Sequence, residues 1–396
     1  MSPPSQARPA VWLLVAMIGL GPFTMQVLVP SLPAMGEDLG VSTAVVQLTV
    51  TFYLMAVACG QLVYGPLSDR FGRRPLLMMG LALYAVASLL GAVADGIGML
   101  VVARILQAAG ACAGVVLARA VIRDSWPREE SASVLGYVTM GMTIAPMLAP
   151  VLGSLLEEAF GWRATMWACL AFGLPLAWIA FARLPETLAS PQSLPGLGAV
   201  WAAYGNLWAL PLFRGYCGVT ALSTGIFFAF LGGAPYVVVQ GMGYSPVTFG
   251  LAFAAISILF ALGNFLAGRL SRRLGVVRLL TIGTLITTTG AVLAGIAVVM
   301  LPAHIASFFV PIGIVALGNG MVQPNAIAGA LSVRPAWAGT ASALVGFLQM
   351  GFGGLATFIV GLVEGGSGVG TSLIMTATGL GCLLALAGVR RYSRAN

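Results

Sequence analysis

Long apolar runs separated by short polar connectors fill this chain from about residue 11 onward. A transmembrane helix needs about 20 predominantly apolar residues, and each run reaches that length. The runs are continuous rather than alternating, which excludes the strands of an outer-membrane barrel. We therefore predict an all-α membrane protein with twelve transmembrane helices. The predicted spans are residues 11–35, 43–67, 75–94, 98–121, 132–156, 163–183, 214–239, 247–268, 279–300, 303–329, 338–362 and 369–389.

Part of this pattern occurs twice along the chain. The connector Gly65–Pro75 lies between the second and third spans, and Gly268–Gly275 repeats its Gly, Leu, Ser, Arg and Gly at a constant offset of 203 residues. The match extends upstream to the pair Gly40 and Gly243 without a gap, with ten identities in 33 aligned positions. A charged connector flanked by membrane spans and repeated in parallel is typical of a transporter built from two halves.

The longest connector separates two six-helix pseudo-repeats. It runs from Leu184 to Phe213 and is rich in Pro and Gly, as expected of a linker. Its Trp201 and Trp208 favour a short helix at the membrane surface. The predicted domains are an N-terminal half at 1–190, a cytoplasmic linker at 191–213 and a C-terminal half at 214–396.

Composition and charge narrow the class and orient the chain. It is 59% hydrophobic and 8% charged, whereas soluble domains carry roughly 25% charged residues. All nineteen basic residues are Arg, and all but Arg104 and Arg163 lie in even-to-odd connectors, at the adjoining span ends or at the termini. By the positive-inside rule, we predict that both termini lie in the cytoplasm. The localisation we expect for this multi-pass protein is the bacterial inner membrane. The five Cys lie in apolar runs and are predicted to be buried single thiols, with no metal site or cofactor.

The first copy of the repeated connector has the chemistry of a conformational latch. Its glycines allow close helix approach, Pro75 can begin a helix, and Asp69 can accept hydrogen bonds from arginines or a helix N-terminus. Such a polar network can break and reform during transport. The alternative is that these arginines only set topology. The second copy has Arg272 in place of the acid, so the two connectors cannot be equivalent. The predicted latch residues are Gly65, Asp69, Arg70, Gly72, Arg73, Arg74 and Asp124.

The connector Gly65–Pro75 resembles the signature of the major facilitator superfamily. Residues 104–110 and 118–124 resemble the fourth-helix motif of its drug:proton antiporters, in the form found in the Bcr/CflA drug-resistance group. Residues 136–153 resemble the fifth-helix antiporter motif. The residues that carry this last match are Gly141, Pro146, Pro150 and Gly153.

The resemblance implies the major facilitator fold with a central cavity, working as a monomer. It also implies export of bicyclomycin-, chloramphenicol- or sulfonamide-like compounds against proton entry. Small-molecule substrates and protons would be the partners in the lipid bilayer, with no nucleic acid.

The chain departs from the family at its first helix. The resemblance places a proton-carrying acid four residues before Pro30, where this chain has Gln26. A glutamine forms hydrogen bonds but carries no proton, and no Asp or Glu lies in the middle of a predicted span. Proton coupling is therefore open.

Arg104 lies well inside the fourth predicted span, with Gln107 one turn further on. A charge at bilayer depth costs at least about 2.5 kcal/mol unless it faces water or partners. Arg104 is thus predicted to act in substrate or proton coupling, or else as a structural clamp. Other polar or aromatic residues inside spans either line the cavity or bond neighbouring helices. These candidates are Gln26, Gln47, Tyr53, Tyr137, Phe228, Tyr236, Asn264, Asn319, Gln323, Asn325 and Gln349.

Three functions fit the sequence. The first is an inner-membrane multidrug exporter working by alternating access of two halves, with the latch closing the cytoplasmic end. The second is a dedicated metabolite carrier, which need not be proton-coupled. The third is a non-transporting membrane sensor. An enzyme is not favoured, because the sequence has no phosphate-binding loop, metal-ligand cluster or catalytic triad.

Overall fold

The computed structural model describes residues 8–188, 190–191, 197–301 and 303–393, and these residues form helices without strands. The side chains at 128–129, 132–133, 136–137, 139–144, 197, 199 and 272 lie outside this description. The α-helices are α1 Val11–Val27, α2 Leu32–Asp38, α3 Thr43–Phe71, α4 Arg73–Ala92, α5 Ile97–Ser125, α6 Arg128–Phe160, α7 Arg163–Arg183, α8 Leu197–Trp208, α9 Pro211–Pro235, α10 Pro246–Leu274, α11 Val276–Met300, α12 Ile305–Ser332, α13 Ala338–Val363 and α14 Val369–Ser393.

The predicted all-α membrane architecture is confirmed. Eleven segments of the described chain are helices long and apolar enough to cross a membrane, with α1 and α2 counted as one segment. Helix α6 has 33 residues and contains Pro146 and Pro150, and it completes the set of twelve. The predicted surface helix is present as α8, on which Trp201 is 70% exposed. Its place at a membrane surface and the division into domains remain predictions, and residues 189 and 192–196 of the linker region lie outside the described residues.

Two boundaries differ from the prediction. The first span is not one helix, because α1 ends at Val27 and a 3₁₀ turn, Val29–Ser31, precedes α2. Pro30 in that turn cannot donate a backbone hydrogen bond, which explains the break. The connector predicted at Gly65–Pro75 is only a one-residue turn at Gly72, since α3 continues to Phe71 and α4 starts at Arg73. Among the cysteines, Cys59 is exposed rather than buried.

The sequence repeat is also a repeat of backbone geometry. Gly40 and Gly243 have φ of 62° and 72°, and Gly72 and Gly275 have φ of 96° and 79°. Non-glycine residues rarely adopt these conformations, so glycine is required at both members of each pair. The same turns therefore begin and end the second long helix of each half.

The close helix contacts repeat as well. A Cβ on Gly110 of α5 would lie 2.7 Å from the Tyr84 backbone N of α4. A Cβ on Gly318 of α12 would lie 2.6 Å from the Thr287 backbone N of α11. Glycine at such a position lets two membrane helices approach backbone to backbone. The pairs α4–α5 and α11–α12 are thus equivalent, with Tyr84 and Thr287 at the same offset of 203 as the turns.

Two seams join the predicted halves. We use "basic end" for the end of the bundle where α3, α5 and α7 finish, and "opposite end" for the other. Along the α3–α13 seam, a Cβ on Gly361 would lie 2.7 Å from Gln47 Cγ, and Gly346 packs against Gln61 nearer the middle. A Cβ on Gly339, about two turns closer to the basic end, would meet no atom within 4 Å. This seam is closed from the opposite end to the middle.

The second seam joins α6 to α10. A Cβ on Gly250 would lie 3.0 Å from the Pro150 carbonyl oxygen, and the Ser154 hydroxyl is closer still. Beyond both seams, one apolar cluster at the opposite end contains Leu32 and Val50 of the first half together with Phe230 of the second. The other large clusters lie within one half or, for the cluster of the second half, also include a residue of α8. The opposite end is therefore where the halves are packed together.

Candidate functional site

Arg73 is the centre of a polar network at the basic end. Its Nη1 lies 2.6 Å from Asp69 Oδ1, and its Nε donates to Asp124 Oδ2 at 3.0 Å. Nη1 also donates to the Ser68 hydroxyl. The Arg73 side chain is 9% exposed, whereas those of Asp69 and Asp124 are 43% and 25% exposed, so these charge-assisted bonds join a buried cation to acids that still reach solvent. The structure thus brings together the predicted Asp69, Arg73 and Asp124 from α3, α4 and α5.

Glu186, which follows α7, completes this network. Its Oε1 accepts from the Arg73 backbone N at 3.0 Å and its Oε2 from the Arg74 backbone N at 3.1 Å. These are the first amides of α4, which have no partner within the helix, so the carboxylate caps α4 and interacts favourably with its dipole. Oε1 also accepts from the backbone N of Thr187 and of Leu188. We call Ser68, Asp69, Arg73, Asp124 and Glu186 the Arg73 network.

The electrostatics of Glu186 follow from these contacts. Partial burial favours the neutral acid, but the four backbone amides that donate to the carboxylate outweigh it and hold the pKa of Glu186 below its ordinary value. The side chain is therefore ionised at neutral pH. Sequence analysis did not identify Glu186 as a site residue, because 112 residues separate it from Arg74.

Gly72 makes the cap possible. Its φ of 96° is a glycine conformation, and a Cβ there would lie 2.6 Å from Glu186 Oε2. Any other residue would both strain the turn and displace the carboxylate. Gly72 is thus required for the turn and for the contact.

The remaining predicted latch residues lie outside the core of the network. Arg70 is exposed, with its guanidinium 5.4 Å from the Phe71 ring centroid. Arg74 donates from Nη2 to the Phe181 carbonyl at 2.9 Å. Gly65 lies within α3, and a Cβ there would meet no atom within 4 Å. None of the three joins the ion pairs of the described residues.

Arg104 occupies a second polar site, buried inside the first half. It is 0% exposed, and its Nη1 donates to Gln107 Oε1 at 2.5 Å and to the Thr24 carbonyl at 3.3 Å. Its guanidinium carbon lies 4.2 Å from the Tyr53 ring centroid. Nε and Nη2 have no hydrogen-bond partner among the described residues. Every group that contacts this cation here is neutral.

The contacts of Arg104 extend to four helices of the same half. Gln107 donates to the Ser88 hydroxyl at 2.8 Å, and the Thr24 and Tyr84 hydroxyls lie 2.6 Å apart. Tyr53 donates to the Gly21 carbonyl at 2.9 Å. These bonds join α1, α3, α4 and α5, as a structural clamp would. A role of Arg104 in coupling stays a prediction.

Gln26 is 4% exposed, and its Oε1 has no hydrogen-bond partner among the described residues. Tyr236, in the π-helical turn Tyr236–Gly241 that continues α9, is 1% exposed with an unpaired hydroxyl in the same range. Both are therefore enclosed polar groups at the packed part of the bundle, and no described hydrogen bond joins them.

A polar trio lies in the second half, where α9, α12 and α13 meet. Gln323 Nε2 donates to Thr224 Oγ1 at 2.8 Å, and Gln349 Nε2 donates to Gln323 Oε1 at 2.8 Å. Both glutamines are only partly buried. They are uncharged, accessible groups inside the bundle that could donate to or accept from a ligand. Sequence analysis identified the glutamines but not Thr224.

Other predicted cavity residues bond neighbouring helices instead. Asn319 Nδ2 of α12 donates to the Ser223 carbonyl of α9 at 3.2 Å. Asn325 Oδ1 accepts from the Ser271 hydroxyl of α10 at 2.9 Å. Gln47 donates across the α3–α9 contact to the Gly232 carbonyl at 2.5 Å. Asn264 bonds within its own helix, to the Phe260 carbonyl, and Phe228 is buried.

The predicted antiporter helix is α6, which packs in parallel against α1. A Cβ on Gly19 would lie 3.7 Å from Ala145 Cβ, and one on Gly153 would lie 2.8 Å from the Val27 carbonyl carbon. Both contacts have the same offset of 126 residues. Gly153 thus allows α1 to end directly against α6. The contacts of Tyr137 and Gly141 in this helix lie outside the described part of the structure.

Comparisons with known proteins agree on one family. The model of the family described as Major Facilitator Superfamily matches residues 13–358. The Multidrug resistance protein D of Escherichia coli is 31% identical over 390 residues, covering 93% of this chain and 92% of that protein. The Chloramphenicol resistance protein of Pseudomonas aeruginosa is 33% identical over 348 residues, covering 86% and 80%. The crystal structure of a D-xylose-proton symporter shares the fold, with a TM-score of 0.78 at 17% identity over 95% of this chain and 96% of that one.

Proposed function

The chain belongs to the major facilitator superfamily, and from this premise we propose that it exports small drug-like compounds across the bacterial inner membrane by alternating access, in exchange for protons. The superfamily consists of transporters rather than enzymes, and the relatives named for drug and antibiotic resistance support a Bcr/CflA-type exporter. The observation that carries the proposal is the 31–33% identity to two resistance proteins over 86–93% of the chain. The substrates would be of the chloramphenicol, bicyclomycin or sulfonamide class.

The two seams support alternating access. If the basic end faces the cytoplasm, as the arginine distribution favours, then the arrangement described is packed outside and open toward the cytoplasm. Gly65 of α3 and Gly339 of α13 lie closer to the basic end than the contact between Gln61 and Gly346. A Cβ on either glycine would meet no atom within 4 Å, so the two helices are apart there. We expect these glycines to approach when the halves rock to close the basic end. The Arg73 network would brace the first half for that contact.

The polar trio supports small, uncharged substrates. Gln323 and Gln349 are partly exposed and offer amide groups without a formal charge, and the buried Thr224 hydroxyl accepts from both. Pockets that bind drug-like molecules combine apolar walls with a few such groups. We therefore place substrate contacts at this trio.

A dedicated metabolite carrier is the second candidate, and Gln26 favours it. A carrier that follows its substrate's own gradient needs no proton-binding group in its first helix. A non-transporting sensor has no observation in its favour.

The experiment is a fluorescence assay of proton movement in everted vesicles. A pre-formed acid interior is challenged with phenicols, bicyclomycin, sulfonamides and lipophilic cations, with vesicles lacking the protein as control. Dissipation of the gradient by any compound supports drug:proton antiport. If no compound acts while the protein is present in the vesicles, the exporter proposal fails, and uptake of labelled metabolites then tests the second candidate.

A further inference from the structure

Glu157, near the end of α6, has a carboxylate oxygen that the structure leaves unpaired. Its Oε2 is enclosed and has no hydrogen-bond partner among the described residues, and no other carboxylate there shares this property. Glu364 is 6% exposed, yet it accepts from the Gly368 and Thr371 backbone amides and from the Thr371 hydroxyl, each at 2.7–2.8 Å. Burial alone does not distinguish Glu157. What distinguishes Glu157, which is partly exposed as a residue, is an enclosed oxygen without a donor.

Glu157 lies where the contact between α1 and α6 reaches the 3₁₀ turn that follows α1. The offset of 126 that pairs Gly19 with Ala145 and Val27 with Gly153 continues to Ser31 and Glu157. The Ser31 hydroxyl is close enough to act on the Glu157 carboxylate, yet neither Ser31 Oγ nor Glu157 Oε2 has a hydrogen-bond partner among the described residues. Ser31 belongs to the 3₁₀ turn that packs against both α6 and α10. The carboxylate therefore lies where the first half meets the second.

The charged groups around Glu157 do not neutralise it. Asp38 of α2 is close enough to act on it and is itself held by Arg163 of α7, with Nη1 and Oδ2 2.7 Å apart. Glu158 is the exposed neighbour on the same helix. From residue 246 to 267, α10 has no charged side chain, and neither does α1. Arg163 is the nearest cation in these elements, and it is engaged by Asp38.

Glu157 is partly exposed as a residue, but its Oε2 is enclosed, so this oxygen of an ionised carboxylate lacks both water and a donor, which is costly. A protonated carboxyl is neutral and can donate to the Ser31 hydroxyl, so it fits the packed arrangement. When the opposite end parts, water reaches the seam and the ionised form is solvated. The two arrangements of the bundle thus differ in how well they hold a proton at this carboxylate.

We propose that Glu157 is a proton-binding site, at which closing of the opposite end takes up one proton and opening releases it. The inference rests on the proposed function, because it needs a state in which the opposite end is open. It places proton binding at the seam between the halves, on the helix beside the one that has Gln26. Acidification outside the cell would then favour the closed opposite end.

The test measures closure against pH in the full-length protein. Val93→Cys and Met300→Cys, at exposed ends of α4 and α11, are spin-labelled in a background without the five native cysteines, and the distance between the labels is measured from pH 5 to 9. In the parent, we expect the ratio of closed to open protein to rise about tenfold for each pH unit below the transition, as for uptake of one proton. Glu157→Gln should stay closed throughout, because a neutral amide imitates the protonated acid. Glu158→Gln should titrate like the parent.

The outcomes separate the two proposals. If Glu157→Gln keeps the parent's pH dependence, the proton site is wrong while the exporter proposal stands. If no open population exists at any pH, with or without a transported compound, both proposals are wrong.

A measurement on the unmodified sequence covers the case in which Glu157→Gln fails to fold. A hydrophobic carbodiimide adds to protonated carboxyl groups in apolar surroundings, and mass spectrometry locates the adduct. We expect Glu157 to be labelled at pH 6 at least about tenfold faster than Glu158 and more slowly at higher pH, as the protonated fraction falls. Equal labelling of the two, or labelling of Glu157 that does not depend on pH, overturns the proposal.

Discussion

The turns at Gly72 and Gly275 have similar backbone conformations, but only the turn at Gly72 is surrounded by ion-paired side chains in the part of the chain that the structure describes. Each has a positive-φ glycine between two long helices, at equivalent places in the two halves. Around Gly72, Arg73 pairs with Asp69 and Asp124 while Glu186 caps α4. At Gly275, a Cβ would meet no atom within 4 Å, and Val276 stands where Arg73 would be.

This difference distinguishes features that the fold requires in both halves from the charged network, which the described part of the chain has in the first half only. Glycine turns and glycine helix contacts occur twice, so they belong to the architecture of each half. The charged network occurs once among the described residues. A network that only stabilised the helix turn would be needed equally in both halves. Because the residues described form it only in the first half, we infer that it has a function in transport that the second half does not share.

Replacing Arg73 should have the largest effect on this comparison. Arg73→Ala leaves two aspartates, 43% and 25% exposed, without their shared cation. Because solvent screens both carboxylates, the loss of stability should be only about 1 kcal/mol. We expect the protein to remain in the membrane, with transport reduced at least about tenfold. Val276→Ala, the matched change in the second half, should leave transport unchanged. Equal activity of the two variants would mean that the network has no special role.

Alanine at the two glycines should have a smaller effect that is still asymmetric. Both Gly72→Ala and Gly275→Ala strain the turn by about 1–3 kcal/mol. Only Gly72→Ala also pushes Glu186 off the amides of α4, because the new Cβ would lie 2.6 Å from its Oε2. Thermal unfolding in detergent should show the larger decrease in Tm for Gly72→Ala. A decrease of the same size in both variants would mean that the Glu186 contact adds nothing to stability.

Removal of the Glu186 charge should have the smallest effect, visible mainly in pH dependence. Hydrogen bonds from four backbone amides outweigh partial burial and hold the pKa of Glu186 below its ordinary value. Its contribution to stability is therefore complete above about pH 4.3 and lost as the pH falls through the lowered pKa. The Tm of the parent should fall more steeply than that of Glu186→Gln between about pH 5 and 3.

Glu158→Gln, at the opposite end, is the control for loss of one exposed carboxylate. It should follow the parent's curve. Parallel curves for the parent and Glu186→Gln would show that the cap does not contribute to folding stability.

The sequence predicted what depends on local pattern. The sequence showed the twelve apolar runs, the repeat and the turn glycines, because helix length and glycine conformation depend on residues close together in the chain. Asp69, Arg73 and Asp124 were identified together because their motifs lie at the ends of neighbouring helices. The break after Val27 was missed, although Pro30 signals it, because hydropathy alone extends through the turn.

The sequence could not predict contacts made over long separations. Glu186 and Thr224 contribute to polar groups only through helices brought together by folding. Hydropathy placed Arg104 at bilayer depth but could not say which side of α5 it occupies, and the structure puts it among Thr24, Tyr53 and Gln107 of its own half. Asn319 and Asn325 likewise bond between helices, which the presence of amides in an apolar run does not reveal.

The cap on α4 also sets an order of events during synthesis. The segment from Gly65 to Pro75 leaves the ribosome more than a hundred residues before Glu186. A nascent chain that stops just after α7 holds every residue of that segment, and its first α4 amides still lack the carboxylate. The basic end of the first half is therefore finished by the last residues of that half to be made.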